Sequence, residues 1–306
     1  LQNRGHSAAD AIAPALLNWG LALGSYAPQR ALAMLEQCIA PLTRASDRWR
    51  LSIAWTALAG THWLMGNYRT ADICCREAER LAQKHGGSYG LELALQILGR
   101  IAIARGRYQL AAEYLQASFE FAQRSTLKPQ LTMALYWQGE SCRLRGQAEQ
   151  AQLYYERSID LAKTIGHTMA HASALWGQGC LAEGQGNYLA AKEYFLHSQA
   201  LTAGGQWIHL QPQLGWALLG LGEVAQARQY FTDVAARAES NSVTPTLLDA
   251  QLGLAYIEHS QDSSSALPKV MQMVKEHRSS TEETRRRIDQ IASKIVNTQT
   301  AIVYSI

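Results

Sequence analysis

Small and apolar residues recur along this chain at spacings of 3, 4 and 7, which place them on one stripe of an α-helix. One motif interrupts these stripes: a glycine, any residue, usually an aromatic residue, two further residues and an alanine. It occurs at 66–71, 106–111, 146–151, 186–191 and 222–227, with glycines 40, 40, 40 and 36 residues apart. Self-similarity at such a period predicts a stack of similar helical units.

Each motif glycine is predicted to separate the two helices of a hairpin, because glycine readily adopts the positive φ that ends a helix. The first helix carries a small residue, here called the marker, seven positions before that glycine: Ala59, Gly99, Gly139, Gly179 and Gly215. The second helix carries a residue four positions after the motif alanine: Cys75, Leu115, Tyr155, Phe195 and Phe231. A small marker lets the two backbones approach closely, so the pattern predicts tightly packed hairpins.

The first regular unit resembles a known repeat. Its defining residues are similar to the tetratricopeptide repeat (TPR) signature: Trp55, Leu58, Ala59, Gly66, Tyr68, Ala71 and Ala78. Four later units repeat the string with substitutions. The resemblance implies an all-α, right-handed superhelical TPR solenoid of about seven helix hairpins. Its period of about 40 residues exceeds the ~34 residues of the common form, so we expect longer helices.

The whole chain, 1–306, is predicted to be a single TPR solenoid. Residues 8–41 form a degenerate first repeat, residues 42–240 hold five regular repeats, and residues 245–277 form a degenerate last repeat. Residues 280–299 are predicted to be a charged C-terminal capping helix, because a solenoid needs a polar face at its end. The chain starts with Leu1 and not with Met, so we expect a fragment of a longer protein.

A groove is predicted on the concave side, which the first helices of stacked hairpins line. Residues three before, one after and four after each marker should face it. The candidate ligand-binding or partner-binding residues are Trp63, Gln96, Arg100, Tyr136, Glu140, Arg143, Trp176, Glu183 and Trp216. Aromatic rings lose little entropy on binding, and arginine recognises carboxylates bidentately. The alternative is that several of these aromatic residues only pack between neighbouring helices.

Charge and composition exclude some classes of function. The 28 basic residues are interleaved with 25 acidic ones for a net charge of +3, so no concentrated patch for nucleic acid is expected. The run 285–287 of three arginines lies beside acidic residues and is predicted to be a solvated helix face. No uncharged apolar stretch reaches 18 residues, so no membrane helix is expected. Five cysteines, an odd number, favour buried free thiols and a cytoplasmic location.

No motif predicts catalysis, a cofactor or a metal. The chain has no phosphate-binding Gly-x-x-x-x-Gly-Lys-Ser/Thr loop. His167 and His171 have the i, i+4 spacing of zinc ligands but lack the HExxH pattern. Cys74 and Cys75 have no histidine partner nearby in sequence, so a nucleophilic role is disfavoured. We therefore predict that the chain is not an enzyme.

Two functional hypotheses remain. The period, the long helices and the stretch 45–54 are similar to the C-terminal arrays of bacterial signal transduction ATPases with numerous domains (STAND), relatives of the maltose-regulon activator. That resemblance implies a sensor domain that binds an inducer and controls an attached nucleotide-binding module. The inducer would be a small molecule, a peptide or a protein. The alternative is a peptide-binding scaffold or adaptor for protein–protein interaction.

Overall fold

The computed structural model describes residues 8–24, 27–85, 88–124, 128–202, 212–261 and 266–303. Within these ranges the chain forms fifteen α-helices and no strand. They are α1 (Ala8–Leu23), α2 (Pro28–Arg44), α3 (Arg48–Leu64), α4 (Tyr68–His85), α5 (Ser88–Ala104), α6 (Tyr108–Arg124), α7 (Lys128–Leu144), α8 (Ala148–Ile165), α9 (Thr168–Gly184), α10 (Tyr188–Leu201), α11 (Pro212–Gly220), α12 (Val224–Ser240), α13 (Thr244–Gln261), α14 (Leu267–Glu276) and α15 (Glu282–Val303). Consecutive helices pair as seven hairpins, from α1 with α2 to α13 with α14, followed by α15. The all-helical hairpin solenoid predicted from the repeat is confirmed.

The motif glycines form the turns inside the hairpins. All five have φ between 70 and 80°, the left-handed region that L-residues rarely adopt: Gly66, Gly106, Gly146, Gly186 and Gly222. The five motif alanines are fully buried in the second helices. The glycine therefore forms the turn, as the pattern predicted, and the buried alanine lets the second helix pack closely.

The markers lie against large side chains of the second helix. A Cβ atom added to Gly139 would lie 2.4 Å from a ring carbon of Tyr155, and one added to Gly179 would lie 2.5 Å from a ring carbon of Phe195. Such distances leave no room for even a methyl group. The hairpins are thus close-packed at these points, with the aromatic ring filling the space that glycine leaves.

Buried serines of some second helices form hydrogen bonds to the first helix of the same hairpin. Ser158 Oγ donates a hydrogen bond to the carbonyl oxygen of Thr132 at 2.8 Å, and Ser198 Oγ donates to the carbonyl oxygen of Ala172 at 2.7 Å. The two serines occupy the same position in successive repeats, 40 residues apart. These bonds satisfy the hydroxyl groups inside the hairpin interface.

The superhelix brings the second hairpin into contact with the seventh. Leu64 at the end of α3 shares a small apolar cluster with Ala238 and Val243 at the junction of α12 and α13. The Gln29 side chain of α2 donates a hydrogen bond to Ser242 Oγ at the same junction. The solenoid therefore curves until its early and late repeats meet.

A capping helix was predicted at 280–299; the observed helix α15 spans Glu282–Val303 and lies on the concave side. Tyr68 Oη donates a hydrogen bond to the carbonyl oxygen of Ser279 at 3.2 Å, just before α15. Glu282 packs against the turn at Gly106. Besides contacting α14, α15 thus crosses the ends of the early repeats. None of the helices in the described ranges is both long and apolar enough to cross a membrane.

Candidate ligand-binding cavity

A cavity of about 340 Å³ lies inside the superhelix and is here called the central cavity. Its wall comes from the first helices of all seven hairpins, together with α15 and Tyr68 of α4. The wall includes Gly60, Trp63, Arg100, Tyr136, Trp137, Glu140, Trp176, Gln213, Asp249, Glu283 and Arg287. The prediction that first helices line the concave side is therefore confirmed by the position of this cavity.

An aromatic–arginine cluster, formed by Trp63, Arg100, Tyr136 and Trp137, occupies one part of the wall. The Arg100 guanidinium carbon lies 3.7 Å from the Trp63 ring centroid and 4.8 Å from that of Trp137. The two indole rings are nearly perpendicular, with centroids 6.3 Å apart, and Tyr136 lies 4.7 Å from Trp137. Cation–π contacts to two rings stabilise the position of the guanidinium.

Arg100 has no carboxylate partner among the described residues, and its buried Nε has no hydrogen-bond acceptor there. Burial lowers the pKa of its guanidinium to about 10. The group nevertheless remains charged at neutral pH. A largely buried positive charge without an opposite partner is unusual in a protein interior, because its desolvation is not offset.

An ion-pair network joins α15 to another part of the wall. Arg143 of α7 contacts both Glu140 and Glu283 at 2.9 Å. Tyr155 Oη donates a further hydrogen bond to Glu140. Burial opposes the charge on Arg143, yet the two carboxylates hold its pKa well above the ordinary value. Glu283 of α15 is thereby tied to α7.

A second ion pair holds α15 one turn further along. Arg287 contacts Glu183 of α9 at 2.7 Å and Asp249 of α13 at 3.9 Å. Its guanidinium also lies 4.6 Å from the centroid of Trp216, whose Nε1 donates a hydrogen bond to Asp249 at 3.3 Å. Burial raises the pKa of Asp249 to about 6, against the opposing effect of Arg287. This carboxyl group is therefore poised to take up a proton in mildly acidic solution.

The nine sequence-predicted site residues fall into two groups. Five line the central cavity: Trp63, Arg100, Tyr136, Glu140 and Trp176. The other four lie behind its wall: Gln96, Arg143, Glu183 and Trp216. Three of this second group hold α15 or its partners in place, and Gln96 is buried on α5. Their assignment as ligand contacts stays a prediction.

Several residues of the wall were not predicted from the sequence. Trp137 stands two positions before its marker and faces the cavity, although only the positions three before, one after and four after were expected to do so. The expectation that residues 285–287 form a solvated face is wrong for Arg287, whose side chain is 20% exposed and paired inside the cavity. The expectation of a solvated position does fit Arg286, whose side chain is half exposed. The only sequence signal for Trp137 was an aromatic residue directly after Tyr136, which stands at an expected groove position.

The five cysteines are free and buried. Burial raises the pKa of Cys38 to about 11 and the pKa of Cys74 to about 11. The thiolate that nucleophilic chemistry requires is thus disfavoured at these sites. Within the described residues no group of three His, Cys, Asp or Glu side chains could hold a metal ion.

No protein-family model matches this chain, and no curated protein matches it either. Solved structures do match in fold. NprR in complex with its cognate peptide NprX superposes with a TM-score of 0.66 at 16% identity, covering 94% of this chain and 88% of that one. The Rap conjugation gene regulator of the plasmid pLS20, in complex with the Phr* peptide, superposes with a TM-score of 0.65 at 10% identity. The match covers 97% of this chain and 90% of that one. A Rap protein complexed with competence and sporulation factor superposes with a TM-score of 0.63 at 13% identity, and the match covers 94% of this chain and 99% of that one.

These similarities establish a TPR-like helical solenoid and do not by themselves establish a function, since one fold serves many roles. A relationship to STAND sensor domains is not shown by them. The site must therefore be interpreted from its own geometry.

Proposed function

We propose that this chain is a peptide-binding module that takes a short peptide segment into the central cavity. One observation carries the proposal: three residues of the cavity wall have buried polar atoms without partners, Arg100 Nε, Trp137 Nε1 and Gln213 Oε1. Each unsatisfied buried group costs roughly 1–3 kcal/mol. Two of these atoms are donors and one is an acceptor, and a peptide backbone supplies both kinds of partner.

The size and lining of the cavity support a short segment. Ligand sites usually measure roughly 300–1,000 Å³, so about 340 Å³ accommodates a few residues and not a whole helix. Aromatic side chains dominate the wall around Arg100, and such rings bind apolar peptide side chains at little cost in conformational entropy. Two of the similar folds were solved with a peptide bound, which supports the same class of ligand.

The sensor role implied by the STAND resemblance is a more specific version of this proposal. It is supported by the position of Glu283 and Arg287 in the cavity wall, because a ligand there would compete with the contacts that hold α15. A ligand that favours one arrangement of α15 shifts its population and so transmits a signal. The sequence of the full-length protein tests this version: a nucleotide-binding module joined to this chain supports it, and a full-length protein without one contradicts it.

Filling the cavity tests the peptide-binding proposal. A Cβ added to Gly60, which lines the cavity, meets only Ile97 Cδ1 at 3.8 Å, so Gly60→Leu should occupy ligand space without disturbing α3. The control is Gly184→Leu, at an exposed position where an added Cβ meets nothing within 4 Å. Both variants are incubated with a synthetic library of N-acetylated pentapeptides, and the retained peptides are identified by mass spectrometry after gel filtration.

The parent chain and Gly184→Leu are expected to retain the same peptides, whereas Gly60→Leu should retain them at least about tenfold less. Circular dichroism and melting temperature verify that both variants are folded. Equal retention by Gly60→Leu and the parent, or no retention by the parent, contradicts the proposed function.

A further inference from the structure

Two arginines line the central cavity, and only one of them is paired among the described residues. Arg287 contacts Glu183 and Asp249. Arg100 contacts two indole rings and no carboxylate. Arg143, just behind the wall, is paired with Glu140 and Glu283. The positive charges near α15 are therefore already neutralised, while the charge at Arg100 is not.

The carboxylates of the wall are occupied in the same way. Glu140 accepts from Arg143 and Tyr155, and Asp249 accepts from Trp216. Glu283 is paired with Arg143. If Arg100 adopted another rotamer, none of these carboxylates could pair with it without losing an existing bond. The missing partner of Arg100 must come from outside the described residues.

We propose that Arg100 is the anchor for a carboxylate of the bound peptide, held between Trp63 and Trp137. The inference rests on the peptide-binding function proposed above and specifies its chemistry. The planar guanidinium presents paired N–H donors that match a carboxylate bidentately. The flanking indoles fix the guanidinium plane and exclude water, so the ion pair forms in a poorly solvated place, where it is stronger than at the surface. The apolar parts of the peptide then lie against Trp137 and Trp176.

Two sources of this carboxylate are possible: the C-terminus of the peptide or an Asp or Glu side chain. The test library of N-acetylated pentapeptides is therefore made in four parts, with a free or an amidated C-terminus and with or without Asp and Glu. The parent chain should retain carboxylate-bearing peptides at least about tenfold more than the amidated part without Asp and Glu, since a charge-assisted bidentate pair contributes at least about one order of magnitude. The part most enriched identifies the source.

Arg100→Gln should abolish this preference, and Arg100→Lys should restore only part of it because lysine lacks the bidentate fork. Arg286→Gln is the matched control, since it removes the same charge from a half-exposed position outside the cavity. Equal retention of all four parts by the parent, or an unchanged preference in Arg100→Gln, overturns the proposal. If peptides are retained without any preference for a carboxylate, this inference fails while the peptide-binding function stands. If none are retained, the function itself fails.

Thermal melting separates an anchor from a structural residue. Arg100→Met keeps an unbranched side chain between the two indoles and removes the unpaired charge, so the peptide-free variant should melt at or above the temperature of the parent. A melting temperature more than about 5 °C below that of the parent would assign Arg100 a structural role and overturn the proposal.

Discussion

At the residue scale, packing in the hairpins depends on the size of a single marker. Phe195 fills the space over Gly179, and Phe231 fills the space over Gly215. In the first regular repeat the marker is Ala59 and the corresponding second-helix residue is the smaller Cys75, both fully buried. The larger marker is therefore paired with the smaller second-helix residue, as close packing requires.

Gly179→Ala is expected to destabilise the chain by about 1–3 kcal/mol, because the new methyl group would lie 2.5 Å from the Phe195 ring and force it to move. The control is Gly184→Ala on the same helix. An added Cβ there meets nothing within 4 Å, so its effect should be neutral or stabilising by up to about 1 kcal/mol. Urea unfolding of the two variants measures both values. Similar stabilities for the two would contradict the packing account.

Glu92 provides a residue-scale test by pH. It is buried on α5, its Oε1 has no partner, and burial raises its pKa from 4.5 to about 7. The folded state thus binds a proton that the unfolded state releases, so this group's contribution to stability is complete below pH 4.5 and is lost as pH rises through 7. Each pKa unit corresponds to about 1.4 kcal/mol, which puts the full loss on the order of 3 kcal/mol.

Glu92→Gln removes the ionisation. Its free energy of unfolding should exceed that of the parent at pH 8, and the difference should shrink towards pH 5. Denaturant midpoints at three pH values measure it. A difference between variant and parent that does not change with pH would show that Glu92 is not held in a desolvated site.

Residues could be predicted from the sequence where their role repeats. The turn glycines and markers recur at a fixed period, and their positions were assigned correctly. Trp137 was missed because it breaks the repeat: the equivalent residues in neighbouring units are Ala57, Ile97 and Gly177. A residue that is special to one repeat leaves no periodic signal.

At the scale of the element, α15 is attached to the concave wall by two partly buried ion pairs, Arg143 with Glu283 and Arg287 with Glu183. Arg287→Ala leaves Glu183 and Asp249 without their cation in a site where the Arg287 and Glu183 side chains are 20% and 12% exposed. Removing one partner of a buried pair typically costs about 3–5 kcal/mol. Hydrogen exchange should accelerate in α15 while the amides of α8 keep their protection.

Lys275→Ala is the matched control for this attachment. Lys275 joins α14 to Asp289 of α15 by an ion pair whose side chains are 51% and 64% exposed. Exposed pairs contribute only about 0–1 kcal/mol, so exchange in α15 should hardly change. If hydrogen exchange in α15 accelerated equally in both variants, or in neither, the ion pairs inside the cavity would not be the contacts that hold α15.

The hairpins were predictable as elements because each one depends on residues close in sequence. The placement of α15 was not. Its sequence, with Glu282, Glu283 and three successive arginines, predicts a solvated helix. The partners that bury Arg287 come from α9 and α13, and those that bind Glu283 come from α7. Such partners become apparent only when the curvature of the whole solenoid is known.

At the scale of the whole molecule, curvature creates the cavity. The contact of Leu64 with Val243 brings the second and seventh hairpins together, so the first helices surround a common space instead of lining an open groove. The period and the concave lining follow from the sequence. How far the superhelix closes on itself cannot be predicted from the sequence, because the closure accumulates from small rotations between successive repeats.

The proposed occupant of this common space is a peptide whose carboxylate binds Arg100. The most direct measurement is the crystal structure of the chain with a pentapeptide retained from the library. The peptide is expected to lie in the central cavity, in contact with Trp137 and Trp176, with a carboxylate about 3 Å from the Arg100 guanidinium. A peptide bound on the outer face of the second helices, with the central cavity empty, would contradict it.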